Sequence, residues 1–246
     1  MFDFAGRFDQ YDRKARLEPA LLTAFPAIVT LVLWFPQLQS LSGGIISFLG
    51  AIGIFALLVR ISRNAGYKKQ SHLIQIWSGM PTTKMLRHRD YTIDKITKAR
   101  YHKYLQDNIS GMSIPTVEQE SANPDEADQL YQSAINWLRE QTRDKGLFPL
   151  VFEENCNYGF SRNLWGLKPW GLIISVVSLV GSGFAISLSH KTNLKIVPFH
   201  IWGTIIISLI SLLIWLILIT PNWVNSSAEA YARALLANCD SECRRV

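Results

Sequence analysis

The sequence predicts an all-α integral membrane protein, with two transmembrane helical hairpins (four spans) flanking a mostly helical cytoplasmic insert. Charged residues make up only 18% of the 246 residues, whereas soluble domains carry about a quarter. The deficit lies in four apolar windows, each about as long as the ~17–25 residues of a membrane-crossing helix. These windows are residues 20–38, 45–61, 170–188 and 201–219, and their only charge is Arg60. The pattern excludes a soluble globular enzyme, a secreted disulfide scaffold and a disordered chain.

The N-terminal segment, residues 1–19, is charged and amphipathic and precedes the first window. Its aromatic residues alternate with Asp and Arg, a composition typical of a helix lying in the membrane interface. It has neither the apolar run nor the small-residue cleavage site of a signal peptide. Pro19 fits the first turn of the opening span.

The first predicted hairpin covers residues 20–62 and the second covers residues 169–220. The last window alone contains eight Ile and five Leu, which together favour insertion by about 4–8 kcal/mol. Basic residues precede the first window and follow the second, while the link at residues 37–44 is uncharged. This bias places both termini, the insert and the C-terminal tail (residues 221–246) in the cytoplasm, against a minor contrary signal from Lys191 and Lys195. We expect a multi-pass protein of the inner (cell) membrane.

The insert, residues 63–168, is strongly polarised in charge. Residues 63–103 have a net charge of +8 and residues 104–145 a net charge of −5. In the basic half, residues 92–107 have helical periodicity, with Ile93 and Ile96 on the apolar stripe and four cations largely off it. The insert could bind an anionic ligand, or its two halves could pair with each other or between subunits.

Local signals divide the rest of the insert. Residues 106–123 read mainly as a connecting loop. Asn123 then caps a helix whose apolar face runs to about Lys145, with Pro124 and two acids in its first turn. Residues 148–165 mix aromatic and charged side chains, which predicts an elbow at the membrane interface before the third span.

A dense group of cations in the basic half is the candidate ligand site. Its members are Lys84, Arg87, His88, Arg89, Lys95, Lys98, Arg100 and Lys103. Three nearby aromatic residues could stack on bases, namely Trp77, Tyr91 and Tyr101. A nucleotide or oligonucleotide is one candidate ligand, and attraction to anionic lipid is the alternative.

The third and fourth spans each carry hydroxyl side chains on one face. These candidate pore-lining residues are Ser175, Ser178, Ser182, Thr204, Ser208 and Ser211. Small and hydroxyl residues also let membrane helices pack closely, so helix packing is the alternative. Because four spans cannot enclose a conduit alone, a pore requires a homo-oligomer, and a tetramer is favoured.

We predict no enzymatic activity, no cofactor and no metal. No phosphate-loop, zinc-protease, serine-hydrolase or dinucleotide motif occurs in the sequence. The spans contain no ionisable residue that would mark a proton or ion relay. The three cysteines are expected to be reduced on the cytoplasmic side, and Cys239 and Cys243 lack further ligands at metal-site spacing.

Three stretches carry a resemblance to membrane proteins of bacterial anti-phage gene clusters. They are residues 77–90 (WSGMPTTKMLRHRD), 99–105 (ARYHKYL) and 148–169 (FPLVFEENCNYGFSRNLWGLKP). The layout is similar to that of the four-span membrane effector of the Hailong type, which is paired with a nucleotidyltransferase that makes short oligonucleotides. The resemblance implies an oligomeric ion channel controlled by an oligonucleotide on its cytoplasmic side. It assigns no role to individual residues.

Three functional hypotheses follow. The first is a channel-forming effector whose insert senses a nucleotide or oligonucleotide. The second is a non-catalytic membrane anchor or scaffold that recruits a cytoplasmic protein partner, which the charge polarity fits equally well. The third is a membrane-embedded lipid enzyme, which would need buried acid–base residues that the spans lack. We take the first as the working expectation.

Overall fold

The computed structural model describes residues 9–34, 41–190 and 198–240, with only the backbone described for residues 41–56, 58 and 188–190. This part of the chain is helical and contains no β-strand. The helices are α1 (Gln10–Trp34), α2 (Leu41–Ile76), α3 (Pro81–Lys84), α4 (Lys95–Asn108), α5 (Val117–Ala122), α6 (Pro124–Gln141), α7 (Pro149–His190), α8 (Phe199–Leu218) and α9 (Pro221–Leu236). The all-α prediction is therefore confirmed for the described residues.

The chain divides into two compact units. The first, called the apolar unit here, comprises Met1–Ser71 and Gly159–Val224. The second, called the polar unit, comprises His72–Tyr158 and Asn225–Val246. Both boundaries of the central segment fall inside long helices, since α2 continues past Ser71 and α7 begins before Gly159.

Three helices are long and apolar enough to cross a membrane. They are α1, the Pro149–Ser187 part of α7, and α8, which contain most of the first, third and fourth predicted windows. The second window, residues 45–61, lies within α2, but most of its side chains lie outside the described residues. The two short links of the predicted hairpins also include residues outside the described part, so the four-span layout stays a prediction.

Pro19 lies in the first turn of the α-helical segment Glu18–Trp34, as predicted, but α1 also extends upstream of it. Helix α1 starts at Gln10 and takes a wider π-helical turn over Arg13–Leu17. In an α-helix the Ala15 carbonyl would accept a hydrogen bond from residue 19, but proline has no N–H. The buried Asn163 side chain of α7 donates to this carbonyl instead, at 2.7 Å. A partner from another helix therefore lets the proline sit inside α1.

Glycines set the closest helix contacts in the apolar unit. A Cβ added to Gly166 of α7 would lie 2.6 Å from the backbone nitrogen of Gly66 in α2. A Cβ at Gly171 would collide with the indole ring of Trp215 in α8. Helix α7 therefore approaches α2 backbone to backbone and holds an aromatic ring of α8 against its own backbone.

The predicted elbow at residues 148–165 is also wrong as a separate element. Helix α7 is one element of 42 residues that continues through Pro169. Within the apolar unit, residues 161–167 are all buried. The second half of this stretch is therefore buried among neighbouring helices, whereas its first half keeps exposed positions such as Leu150 and Glu153.

In the polar unit, the strongest local signals are confirmed. The predicted helix at residues 92–107 is α4, and the Asp94 carboxylate caps it by accepting from the Thr97 N–H. Helix α6 begins after Asn123, whose side chain accepts from the Glu126 N–H. Most of its predicted apolar face is buried, namely Ala127, Tyr131, Ala134, Ile135 and Leu138.

The prediction of a loop over residues 106–123 is wrong in part, because α5 lies within it. Its first turn is closed by a reciprocal capping box between Thr116 and Gln119. The Gln119 N–H donates to the Thr116 hydroxyl at 3.3 Å, and the Thr116 N–H donates to the Gln119 side chain at 2.9 Å. This local arrangement stabilises a helix too short to show apolar periodicity.

Candidate functional site

The site is built on the chain reversal that follows α2 in the polar unit. Ser78 and Gly79 have positive φ angles of 58° and 126°, and these turn the chain towards α3. The Arg87 guanidinium donates to the Ser78 carbonyl at 2.8 Å and to both carboxylate oxygens of Asp128 at 2.8 and 2.6 Å. Arg87 therefore links this turn to α6 by hydrogen bonds. Because it is only 8% exposed, it is not accessible to a ligand.

A buried carboxylate organises the segment after Arg87. Glu120 of α5 is 2% exposed, and one of its oxygens accepts from the His88 N–H and from the Tyr131 hydroxyl, both at 2.7 Å. Its other oxygen accepts from the Arg89 N–H at 3.3 Å. Burial opposes its ionisation, but these hydrogen bonds outweigh burial and hold the pKa of Glu120 below its usual value.

Two aromatic side chains flank this carboxylate. His102 stacks on Tyr131 with ring centroids 5.8 Å apart and meets His88 edge to face at 4.9 Å. Its Nε2 lies 2.7 Å from the Leu86 carbonyl. Burial, reinforced by the charges of His88 and Lys98, lowers the pKa of His102 to about 4, so the ring is neutral at physiological pH. Burial and the Glu120 carboxylate raise the pKa of Tyr131.

The expectation that Lys98 lies off the buried stripe of α4 is wrong. Its ammonium donates to the Arg87 carbonyl at 2.6 Å and to the Asp90 carbonyl, and burial lowers its pKa. Conversely, Ile96 was assigned to the stripe and is 75% exposed. The Arg87 and Asp90 carbonyls need a hydrogen-bond donor, and Lys98 supplies it from the buried face of α4.

Beside this network lies a groove of about 530 Å³, called the cationic groove. It is lined by His88, Arg89, Tyr91, Lys95, Lys98, Ala99, His102, Val117, Glu120 and Ser121. Tyr91 is 79% exposed and Lys95 is exposed. The Arg89 guanidinium lies 3.8 Å from both Glu120 and Asp128, and its side chain stays 45% exposed. The groove therefore offers two accessible cations and one open aromatic face.

Comparison with protein-family models, with curated proteins and with solved structures finds no match to this chain. Function is therefore inferred from the cationic groove, the apolar helices and the sequence alone.

The remaining predicted ligand residues lie apart from the groove or are engaged. Arg100 forms a two-point ion pair with Asp240, at 2.9 and 2.8 Å. Lys103 is exposed and lines a second cavity of about 570 Å³ with Arg100, while Lys84 is half-buried at the end of α3. Of the eight predicted residues, the structure brings His88, Arg89, Lys95 and Lys98 together on the groove.

The three aromatic residues proposed for base stacking differ in access. Trp77 and Tyr101 are each only 7% exposed, so neither presents a ring face to the groove. Tyr91 is the exception. The sequence alone could not show which of the three rings is accessible, because the burial of each ring depends on its position relative to the chain reversal and α4.

Several hydroxyls of the spans form hydrogen bonds within the apolar unit, whereas the buried Ser208 hydroxyl has no hydrogen-bond partner among the described residues. Ser175 donates to the Gly171 carbonyl and its Oγ lies 2.9 Å from that of Ser211, so these hydroxyls join α7 to α8. The Thr204 hydroxyl accepts from the Trp34 indole at 3.2 Å, and Ser178, Ser182 and Ser208 are buried. The Ser175–Ser211 and Trp34–Thr204 contacts are of the kind that packs membrane helices, and the pore-lining assignment of the six residues stays a prediction.

Metal chemistry has no cluster to support it in the part of the chain that the structure describes. No group of three or more His, Cys, Asp or Glu side chains is arranged there to hold an ion. Burial and the neighbouring Asp240 raise the pKa of the Cys239 thiol to about 12, which makes it a poor nucleophile. Cys243, its predicted neighbour, lies outside the described residues.

Sequence analysis did not identify Glu120, which lines the groove, or the hydrogen bond that Tyr131 donates to it. Glu120 looked like one of many acids in an acidic half-domain. The only local signal was the capping pattern of Thr116 and Gln119, which predicts a helix that contains Glu120; the approach of this helix to His88 and Arg89 is a tertiary contact.

Proposed function

We propose that this protein is a non-enzymatic, oligomeric membrane effector that forms an ion-conducting pore under the control of a nucleotide or oligonucleotide. The polar unit would lie in the cytoplasm, with both termini on that side of the inner membrane. The single observation that carries the ligand part is the cationic groove, where two accessible cations and an exposed tyrosine share one concave surface.

The groove suits a short phosphorylated ligand. Arg89 and Lys95 would contact phosphates, and Tyr91 would stack on a base, a contact worth about 1–3 kcal/mol. Arg87, Lys98 and Arg100 would act only as framework, because their donors already serve Asp128, backbone carbonyls and Asp240. The proposed ligand contacts are accordingly fewer than the eight residues that the sequence predicts.

The pore would lie between copies of the chain. Ser175, Ser211 and Thr204 use their hydroxyls in contacts inside the apolar unit, and the four predicted spans are too few to enclose a conduit. We propose a homo-oligomer, with a tetramer favoured, in which the lipid bilayer surrounds the apolar helices. By its resemblance to anti-phage effectors, the chain would receive its ligand from a partner nucleotidyltransferase.

Conductance of the full chain in planar bilayers tests this proposal, with and without short oligonucleotides. The double variant Arg89→Ala/Lys95→Ala should lose ligand control while retaining membrane insertion. The control variant Arg139→Ala/Lys145→Ala removes the same charges from exposed positions outside the groove, and it should keep ligand control. The log affinity for a single strand should fall with log salt by about 0.7 per phosphate contact. A monomer in detergent and in nanodiscs, or equal behaviour of both double variants, would overturn the proposal.

A second candidate is a non-catalytic membrane anchor that recruits a cytoplasmic protein. The observation favouring it is that basic and acidic residues of the polar unit pair with each other, as in Arg87–Asp128 and Arg100–Asp240. Such pairing neutralises part of the basic half without any ligand. An anchor would give no conductance at any oligonucleotide concentration, so the same bilayer experiment separates the two candidates.

A further inference from the structure

Two half-buried lysines of the apolar unit, Lys69 and Lys168, meet at the same part of α7, because Lys69 lies over the ring of Trp165, three residues before Lys168. The Lys69 ammonium of α2 is 4.7 Å from the centroid of the Trp165 ring. The Lys168 ammonium of α7 donates to the Ile219 carbonyl just after α8, at 2.8 Å. Burial, and then the charge of Lys168, lower the pKa of Lys69. Among the described residues, neither lysine forms an ion pair with Asp or Glu.

Lys168 lies where two apolar segments end, and Lys69 lies eight residues after the window at 45–61. Lys168 comes two residues before the window at 170–188, and its partner Ile219 is the last residue of the window at 201–219. Nearby, Trp170 is exposed, in the position of an aromatic residue at a membrane–water interface. The Lys168 ammonium therefore marks the level at which two predicted spans leave the hydrocarbon.

Helix direction brings the two ammonium groups towards one depth. Along the chain, α2 leaves its apolar window before Lys69, whereas α7 enters its window after Lys168. Side chains incline towards the N-terminus of their own helix. Lys69 thus inclines towards the apolar segments and Lys168 away from them, and both reach the headgroup level.

The two positively charged ammonium groups of Lys69 and Lys168 favour the binding of an anion between them. An ammonium has three donors, and in the described contacts Lys168 gives one to a carbonyl while Lys69 faces an aromatic ring. Phosphate oxygens accept such hydrogen bonds strongly and would offset the repulsion. Basic pockets between membrane helices on the cytoplasmic side are suited to anionic headgroups.

We propose that Lys69 and Lys168 together hold the phosphate of an anionic phospholipid headgroup at the edge of the apolar unit. This site is separate from the cationic groove and does not depend on the proposed ligand or pore. It differs from general attraction between basic segments and membranes because it assigns the interaction to one lysine pair.

Native mass spectrometry of the full chain, titrated with phosphatidylglycerol or phosphatidylcholine, tests the site. The parent should retain phosphatidylglycerol preferentially. Lys69→Gln/Lys168→Gln should weaken its binding by at least about 10-fold, because two charge-assisted hydrogen-bond donors to the phosphate are lost. Lys69→Gln alone should lose part of that preference and Lys69→Arg should restore it, which keeps the test valid if loss of the Lys168 contact unfolds α8.

Lys68→Gln is the matched control. It removes the same charge from the adjacent, exposed position of α2, so it should leave the lipid preference nearly unchanged. Equal loss in Lys68→Gln and Lys69→Gln would assign the effect to a delocalised field and overturn the site. Displacement of the lipid by inorganic phosphate at similar concentration would overturn the headgroup assignment in favour of a free anion.

Discussion

At the scale of single residues, two arginines close together in sequence have different roles. Arg87 is buried and serves Ser78 and Asp128 with three short hydrogen bonds, whereas Arg89 is accessible and its ion contacts are long. The sequence around them, Arg-His-Arg, does not distinguish the two. Only Arg89 remains available to a ligand in the groove.

Replacement of each arginine by methionine should separate these roles. Arg87→Met leaves a half-buried carboxylate and a carbonyl without their donor, which should lower the free energy of unfolding by about 1–3 kcal/mol. Arg89→Met should change it by less than about 0.5 kcal/mol. Thermal and denaturant unfolding of the full chain in detergent measures both, and equal losses would contradict the structural role of Arg87.

His102 should make the protein sensitive to mild acid. The folded state holds the ring neutral with a pKa of about 4, against 6.5 in the unfolded chain. The unfolded state therefore takes up the proton first, and the stabilisation present above pH 6.5 is lost as the pH falls towards 4, to at most about 3 kcal/mol. The neighbouring charges act in both directions, because His88 and Lys98 disfavour protonation of His102 while Glu120 favours it.

The unfolding midpoint measured between pH 6.5 and 5 checks this expectation. The parent should lose stability across that interval, and His102→Gln, which cannot take up a proton, should show a flatter profile. A parent whose midpoint is constant over the interval would show that the ring is not held neutral by the fold.

At the scale of helices, the apolar unit depends on close backbone approach. Helix α7 contacts α2 at Gly166 and α8 at Gly171, and its Asn163 supplies the hydrogen bond that Pro19 removes from α1. One helix thus completes the packing of three others. Substitutions on α7 should be costly at these positions and tolerated where the helix is open, as at Gly181.

Gly166→Ala should destabilise the protein, because its new Cβ would meet the backbone of α2 at 2.6 Å and backbone atoms cannot turn away as a flexible side chain can. Gly181→Ala is the matched control on the same helix, with nothing within 4 Å, and should be neutral or stabilise by about 0.5–1 kcal/mol. Unfolding temperatures in the same detergent compare the two. Similar temperatures for both variants would argue against the close contact of α2 with α7.

At the scale of the whole molecule, the orientation in the membrane is the property that every functional proposal requires. Three described helices can span a bilayer, and basic residues cluster between and before the apolar windows. A reporter active only outside the cytoplasm should be silent when fused after Lys69, Lys145 or Val246. The same reporter should be active when inserted near Asn193, and activity at Lys145 would place the cationic groove away from any cytosolic ligand.

The sequence by itself determined the helical class, the apolar windows and the beginning of α6 at Asn123. These features depend on transfer free energy and on hydrogen bonds between residues a few positions apart, so the information is local. Tertiary structure decided which cations are engaged, since Arg87 pairs with Asp128 and Arg100 with Asp240 across 41 and 140 positions. It also decided that α1 continues through Pro19, because the donor that replaces the missing N–H comes from Asn163, far along the chain. The hydrogen-bond partners of these polar groups lie far away in the sequence, so the periodicity of the sequence cannot predict them.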